Sequence, residues 1–261
     1  ALSGWMKLMD PHNMTCWSMA ALGALGTFLG RDDWLHEALR AERNGLKTLL
    51  ETGLPRAGSD DRPDGFWFET STFYNFYACI PLIALYGLGQ KHDLVTEDMR
   101  ERFESMFAGP LHLVDDHLRL VTIGDRLCAG TYSLVQMRHF YEYAAGQVDQ
   151  ARYGPVLALL YEMSGAPRNS LSALAYGPDE LPPPCEVPCR SARLDAARLA
   201  VFRKPTERGQ ITLWFLVGEE NHSGQGHHHH DKLSLSLHAF GEVIASDPGL
   251  PDLYIHSPSG K

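Results

Sequence analysis

The residues best placed to do chemistry are four consecutive histidines near the C-terminal end, in the stretch GHHHHDKLSLSLHAFGEVIASDPG, residues 226–249. In an extended strand His227 and His229 point to one side, and His228 and His230 to the other. Alternate residues then lie roughly 7 Å apart at Cα, from a rise of ~3.3 Å per residue. Imidazoles at that spacing can share a metal, or one can bind metal while its neighbour faces a substrate. Asp247, at the end of the next candidate strand, can complete such a site if the two strands pair, and Zn²⁺ suits this mix of imidazole and carboxylate. A polar, solvated start to a strand accounts for the same pattern. A purification tag does not, because the run is interior and feeds directly into alternating residues.

The elements that must position these side chains fall into two textures. Up to about residue 165 the chain reads as helices. In DPHNMTCWSMAALGALGTFLG, Asp10 suits an N-cap, Pro11 the first helical position and Gly30 the exit. Trp17, Ala20, Ala24 and Phe28 recur at helical spacing, with Asn13 at the N-terminal end of the same stripe. RDDWLHEALRAERNGLKTLLETG reads as one helix ending at Gly53. In STFYNFYACIPLIALYGLG, Ser71 suits a cap and Pro81 should kink or divide the helix. A Pro-rich stretch, GPDELPPPCEVPCR, then gives way to short β-branched and aromatic runs that read as antiparallel strands. Leu233, Leu235, Leu237 and Ala239 alternate with Ser234, Ser236 and His238, which predicts a buried apolar face and a polar outer one. The division is a helical domain over 1–170, a linker over 171–190 and an antiparallel sheet domain over 191–261, an α+β fold.

Bulk composition bounds the function. With 261 residues and 44% hydrophobic the chain can bury a sizeable core. The net charge of −9 argues against general nucleic-acid binding. No apolar run reads as a membrane span. Five cysteines make no disulfide framework. The chain opens with neither Met nor a charged-then-apolar leader, which reads as a removed leader or a piece of a longer protein.

Residues 226–249 resemble the signature region of the heparinase II/III-like polysaccharide lyases, approximately His-x-His-x-Asp-x-Leu-Ser, a Phe-Gly turn, then Asp-Pro-Gly. His227, His229, Asp231, Leu233, Ser234, Phe240, Gly241, Asp247, Pro248 and Gly249 match in order. HNMTCWSMAALGALGTFLG is similar to the family's Asn-x-x-x-Trp helix start, and DGFWFETSTFYNFYA to its Asp-Gly-x-x-x-Glu-x-Ser-x-x-Tyr segment. Weaker similarity extends to TIGD at 122–125 and to ARLAVFRKP. The resemblance implies an (α/α) toroid followed by an antiparallel β-sandwich, both incomplete here. It also implies β-elimination on a uronate-containing acidic polysaccharide, and a periplasmic or secreted enzyme.

Such elimination removes the C5 proton beside a carboxylate, so the carboxylate must be neutralised, a base must take the proton and an acid must protonate O4. By resemblance Asn13 is the neutraliser and Tyr74 the catalytic tyrosine, which with an ordinary pKa near ~10 needs nearby positive or hydrogen-bonding groups to serve as base. Tyr77, one turn on, is the fallback and a substrate contact. Glu69 orients its neighbours, and His227 meets the substrate from the sheet side. His229 and Asp247 match two ligands of a structural zinc whose third ligand, a later His, is not present in this chain. Met14 stands where the family often has a polar group. Arg56, Arg62, Arg126 and Arg138 are candidates for a locally basic cleft. Two other functions fit parts of the pattern: a non-catalytic carbohydrate-binding homologue, and a zinc-dependent hydrolase using the His cluster.

Overall fold

The computed structural model describes residues 10–125, 132–218 and 232–247. Helices come first and a sheet follows, a mixed α+β arrangement. Helix α1 (Asn13–Leu29) is capped by His12, whose Nδ1 accepts the Met14 N–H at 3.1 Å. Asp10, expected to cap, instead accepts Thr15 Oγ1–H on its carbonyl and pairs with Arg43. The helix does leave through Gly30, at φ +65, where a Cβ would be strained. Of the expected stripe Asn13 and Ala20 are buried, Trp17 is half-buried, and Ala24 and Phe28 are exposed, Phe28 at 85%; Cys16 and Gly23 complete the buried face. Close approach selects this small-residue face, since a Cβ on Gly23 would stand 2.9 Å from Leu88 Cδ1 and 3.3 Å from Ala38 Cβ.

The expected single helix over 31–53 is two, α2 (Asp32–Arg40) and α3 (Leu46–Gly53). Between them Gly45 N–H donates to Ala41 O at 2.8 Å, and a Cβ on Gly45 would collide with that carbonyl. A two-residue hairpin follows, β1 (Arg56–Ala57) against β2 (Arg62–Pro63). Helix α4 (Thr72–Lys91) is capped by Ser71 Oγ, which accepts the Tyr74 N–H at 3.2 Å. Pro81 does not divide it. An interior Pro costs about 3 kcal/mol, and full burial of Leu82 and Leu85 alone offsets that at about 2 kcal/mol each. Among the described residues α4 is the one helix long and apolar enough to cross a bilayer; 56% of that stretch is buried against its neighbours, which makes it the core helix.

Beyond it come α5 (Glu97–Ala108), a 3-10 turn at Gly109–His112, α6 (Arg138–Tyr143), α7 (Gln150–Ser164) and α8 (Leu171–Tyr176). α8 lies inside the stretch read from sequence as linker; none of its residues is buried.

The sheet is an antiparallel meander in the order β3 (Ala192–Leu194), β4 (Leu199–Thr206), β5 (Gly209–Leu216), β6 (Ser234–Ala239), β7 (Glu242–Ala245). Phe240 and Gly241, both at positive φ, make the tight turn between β6 and β7. On β6 the polar positions turn inward against expectation, with Ser236 and His238 7% and 4% exposed and Leu235 53% exposed, while Leu237 is half-buried and Ala239 is buried as expected. The reason is that the sheet docks on the helical half through polar groups. His238 Nδ1 lies 2.9 Å from Asp115 Oδ2, Trp214 Nε1–H donates to His112 O at 2.9 Å, and Gln210 N–H donates to Asp116 Oδ2 at 2.9 Å. Buried polar groups with partners are cheaper than leucines facing carbonyls and carboxylates.

Candidate active site

Two segments, the start of α1 and the loop before α4, build a buried polar knot. Glu69, 2% exposed, accepts the Asn13 backbone N–H on Oε1 at 3.3 Å, and Asn13 Nδ2 lies 3.0 Å from Oε1 and 2.8 Å from Oε2. Trp67 Nε1–H donates to Oε2 at 3.0 Å. The carboxylate therefore sits on the N-terminus of α1, where the free N–H groups and the helix dipole favour negative charge. Asn75 on α4 accepts the Trp67 N–H on Oδ1 at 2.7 Å, and its own Nδ2 is buried without a partner among the described residues. Thr70, next to Glu69, holds φ +49, an unusual value for a β-branched residue. Three bonds from the following residues to the 121–125 segment hold the backbone there: Ser71 Oγ to Asp125 O at 2.7 Å, Thr72 N to Ile123 O at 3.0 Å and Thr72 Oγ1 to Val121 O at 2.8 Å.

Around this knot stands a rim of half-buried aromatic rings. Tyr74 and Tyr77 lie edge to face with centroids 5.7 Å apart, Tyr77 is 5.3 Å from Trp17, and Phe73 is 6.0 Å from Tyr132. Burial first, then the charges of Asp125 and Glu69 and the neighbouring Tyr77, pushes the Tyr74 phenol above its ordinary value of 10.0. Acidic neighbours thus keep Tyr74 protonated, the opposite of what a resting base needs. Met14, beside Asn13, is 51% exposed.

The sheet-side candidates His227 and His229 lie outside the described residues. Asp247 follows β7 and is half-buried. A tetrahedral zinc site at His229 and Asp247 would need further ligands; of this pair Asp247 is among the described residues. A different group that could hold a metal ion is Asp115, Asp116 and His117, whose ligand atoms lie within 4.8 Å of one another. Its carboxylates are occupied. Asp115, 1% exposed, takes the His117 and Arg119 N–H groups at 2.9 Å each, Arg119 Nε–H at 2.7 Å and His238. The adjoining guanidinium disfavours a cation, and these contacts hold the Asp115 carboxyl at about 2 against the cost of burying it. Sequence reasoning missed this junction because its partners are 123 residues apart and no spacing signals it. Of the arginines expected to make a basic cleft, Arg56 is tied to Asp98, Glu101 and Asp61 O, and Arg138 lies over the Tyr161 ring. Arg126 lies outside the described residues, and Arg62 lines a separate groove with Glu104, His112 and Asp195.

No family model and no curated protein matches the chain. Among solved structures, the crystal structure of heparinase III superposes on it with a TM-score of 0.56, covering 92% of this chain at 14% identity. The chain folds like heparinase III. It spans 35% of that protein's length, about a third. At 92% coverage the likeness takes in both the helices and the sheet.

Proposed function

We propose that the chain carries the helical side of a uronate polysaccharide lyase site, in a fold whose complete form is an (α/α) toroid followed by a β-sandwich. The observation that carries the reading is the knot of Asn13, Glu69 and Trp67 beside Tyr74 and Tyr77, an amide and a phenol brought together from different segments on a heparinase III-like fold. Asn13 Nδ2 carries two hydrogens. One shared between the Glu69 oxygens as a three-centre bond leaves the second for a substrate carboxylate, on which charge builds as C5 loses its proton. Tyr74, held neutral by its surroundings, fits the acid that protonates O4 as the C4–O4 bond breaks and the C4–C5 double bond forms. The proton from C5 goes to a base on the sheet side, for which His227 is proposed. The aromatic rim offers apolar faces for sugar rings. Uronate polymers are met outside the cytoplasm, so a periplasmic or secreted location is part of the proposal. Structural zinc at His229 and Asp247 is also part of it, with no role in proton transfer.

One observation favours a second reading, a non-catalytic carbohydrate binder: Asn13 is 1% exposed and its amide is already engaged by Glu69. The deciding experiment incubates the protein with alginate, heparan sulfate, chondroitin and hyaluronan and follows ultraviolet absorbance of the conjugated, unsaturated uronate end. Product that disappears in Tyr74→Phe while substrate binding persists supports the lyase. Binding without product in the unaltered protein supports the binder and overturns the lyase.

A further inference from the structure

The amide of an asparagine is useful to a substrate carboxylate in one orientation only, because its oxygen would repel what its nitrogen attracts. What fixes that orientation in this chain is a carboxylate, and what fixes the carboxylate is an indole. Glu69 Oε1 faces the Asn13 backbone N–H and Oε2 faces the Trp67 indole N–H, two groups that can only donate. Both oxygens are therefore acceptors, and the side-chain atom of Asn13 turned towards them is Nδ2. Rotate Glu69 and nothing selects nitrogen over oxygen.

Trp67 has little freedom to let that happen. It is 1% exposed, its backbone N–H is held by Asn75 Oδ1, and the Phe68 N–H donates to Gly53 O at 3.0 Å. Its six-membered ring occupies the space where a Cβ on Gly53 would stand, so the glycine closing α3 is the seat of the ring. We propose that Trp67, seated on Gly53, is a positioning residue that acts through Glu69 to hold the Asn13 amide nitrogen towards the substrate carboxylate. The inference rests on the lyase reading for its consequence in catalysis, but the alignment itself belongs to the resting protein. It also separates two jobs that burial alone would merge: the indole ring fills the core, while its N–H sets a distant amide.

Trp67→Phe keeps most of the ring and removes the N–H. The variant is expected to lower kcat per folded molecule about tenfold on whichever uronate polymer the protein cleaves, with KM moving less than twofold, since misplacing a transition-state contact costs rate rather than uniform binding. Glu69→Gln is expected to cost at least as much, and adding Trp67→Phe to it to cost less than a further twofold, because both act along one path. Gly53→Ala displaces the ring and should reproduce the Trp67→Phe effect; where it unfolds, the double-variant cycle stands without it. A kcat per folded molecule within twofold of the unaltered protein in Trp67→Phe, or full additivity with Glu69→Gln, overturns the proposal and leaves Trp67 as core filler.

A readout independent of turnover keeps this distinct from the lyase reading. In the asparagine-labelled protein, the Asn13 side-chain NH₂ pair should show slowed hydrogen exchange that Trp67→Phe speeds at least tenfold. If no polymer yields unsaturated product but exchange responds in this way, the lyase reading fails and the alignment holds. If product forms and exchange is unmoved, the alignment fails and the lyase reading holds.

Discussion

Asn13 and Glu69, 56 residues apart in sequence, share three hydrogen-bond contacts inside the helical half, with no described cation bonded to the carboxylate. Glu69 thus serves two structural ends, anchoring the start of α1 and fixing the amide beside it. Glu69→Ala would leave the Asn13 backbone N–H, the Asn13 amide and the Trp67 indole without acceptors. At about 1–3 kcal/mol for a buried unsatisfied group, the loss should be about 3 kcal/mol, read as a lower urea midpoint. Loss of less than 1 kcal/mol would mean that water replaces the carboxylate at no cost and the knot is not buried as described.

Tyr74 is held as a neutral phenol, and that sets a sign for its pH behaviour. A raised pKa means the acid form persists past the ordinary value of 10.0, so activity that needs a proton donor should survive into alkali and fall only above it. Ultraviolet titration should show one tyrosine fewer ionising late in Tyr74→Phe. That substitution should cut turnover by about 10²–10⁴, the usual worth of a proton-transfer group. Stability should change little, because the cap bond to Ser71 comes from the Tyr74 backbone N–H. A rate limb that falls below pH 9 would contradict the neutral-acid role.

Arg203 joins the two halves. Buried on β4, it donates to the carbonyl oxygens of Arg190, Leu111, His112 and Val114. Burial lowers its pKa to about 10, still charged at neutral pH. Arg203→Met fills the volume but removes a donor from four carbonyls, of which His112 O keeps the Trp214 indole N–H, at about 3 kcal/mol or more by the cost of breaking a buried charged network. Limited proteolysis should then cut faster in the Pro-rich stretch between α8 and β3. Unchanged cutting would show that apolar packing alone holds the sheet.

Local signals were legible in the sequence and partnerships across the chain were not. Ser71 as a cap and Gly30 as an exit follow from each residue's own backbone preferences and stand as read; the Phe240–Gly241 turn, expected from the family resemblance, is present with Phe240 at φ +55 against its own preference. The alternation on β6 was legible too, but which face lies inward depends on Asp115, Trp214 and Arg203, which no window around residue 236 contains. The same holds at the site. The segment containing Glu69, Tyr74 and Tyr77 shows its residue types, whereas Trp67's contact with Glu69 and its seat on Gly53 need the fold. The small face of α1 was missed because apolar periodicity favours large residues, while close helix contact favours glycine and alanine.

His112 gives the protein an acid limit. It lies at the junction, where burial and, less strongly, the charges of Arg203 and Arg152 lower its pKa to about 4 from 6.5, and its Nδ1 is buried without a partner among the described residues. The folded state therefore keeps the ring neutral while the unfolded chain takes up a proton below 6.5. Stability contributed by the neutral ring is intact above 6.5, declines as pH falls, and is lost by about 4, a window worth roughly 3 kcal/mol. Asp115, lowered to about 2 from 3.8, acts in the next window down, losing its contribution as pH falls between those values. Urea midpoints measured from pH 7 to 4 should fall in the unaltered protein and fall less steeply in His112→Leu, which removes the titrating ring but leaves the backbone carbonyl that Trp214 and Arg203 use; His139, also lowered by burial, keeps part of the slope. An equal slope in both proteins would place the acid sensitivity elsewhere and refute a neutral, half-buried His112.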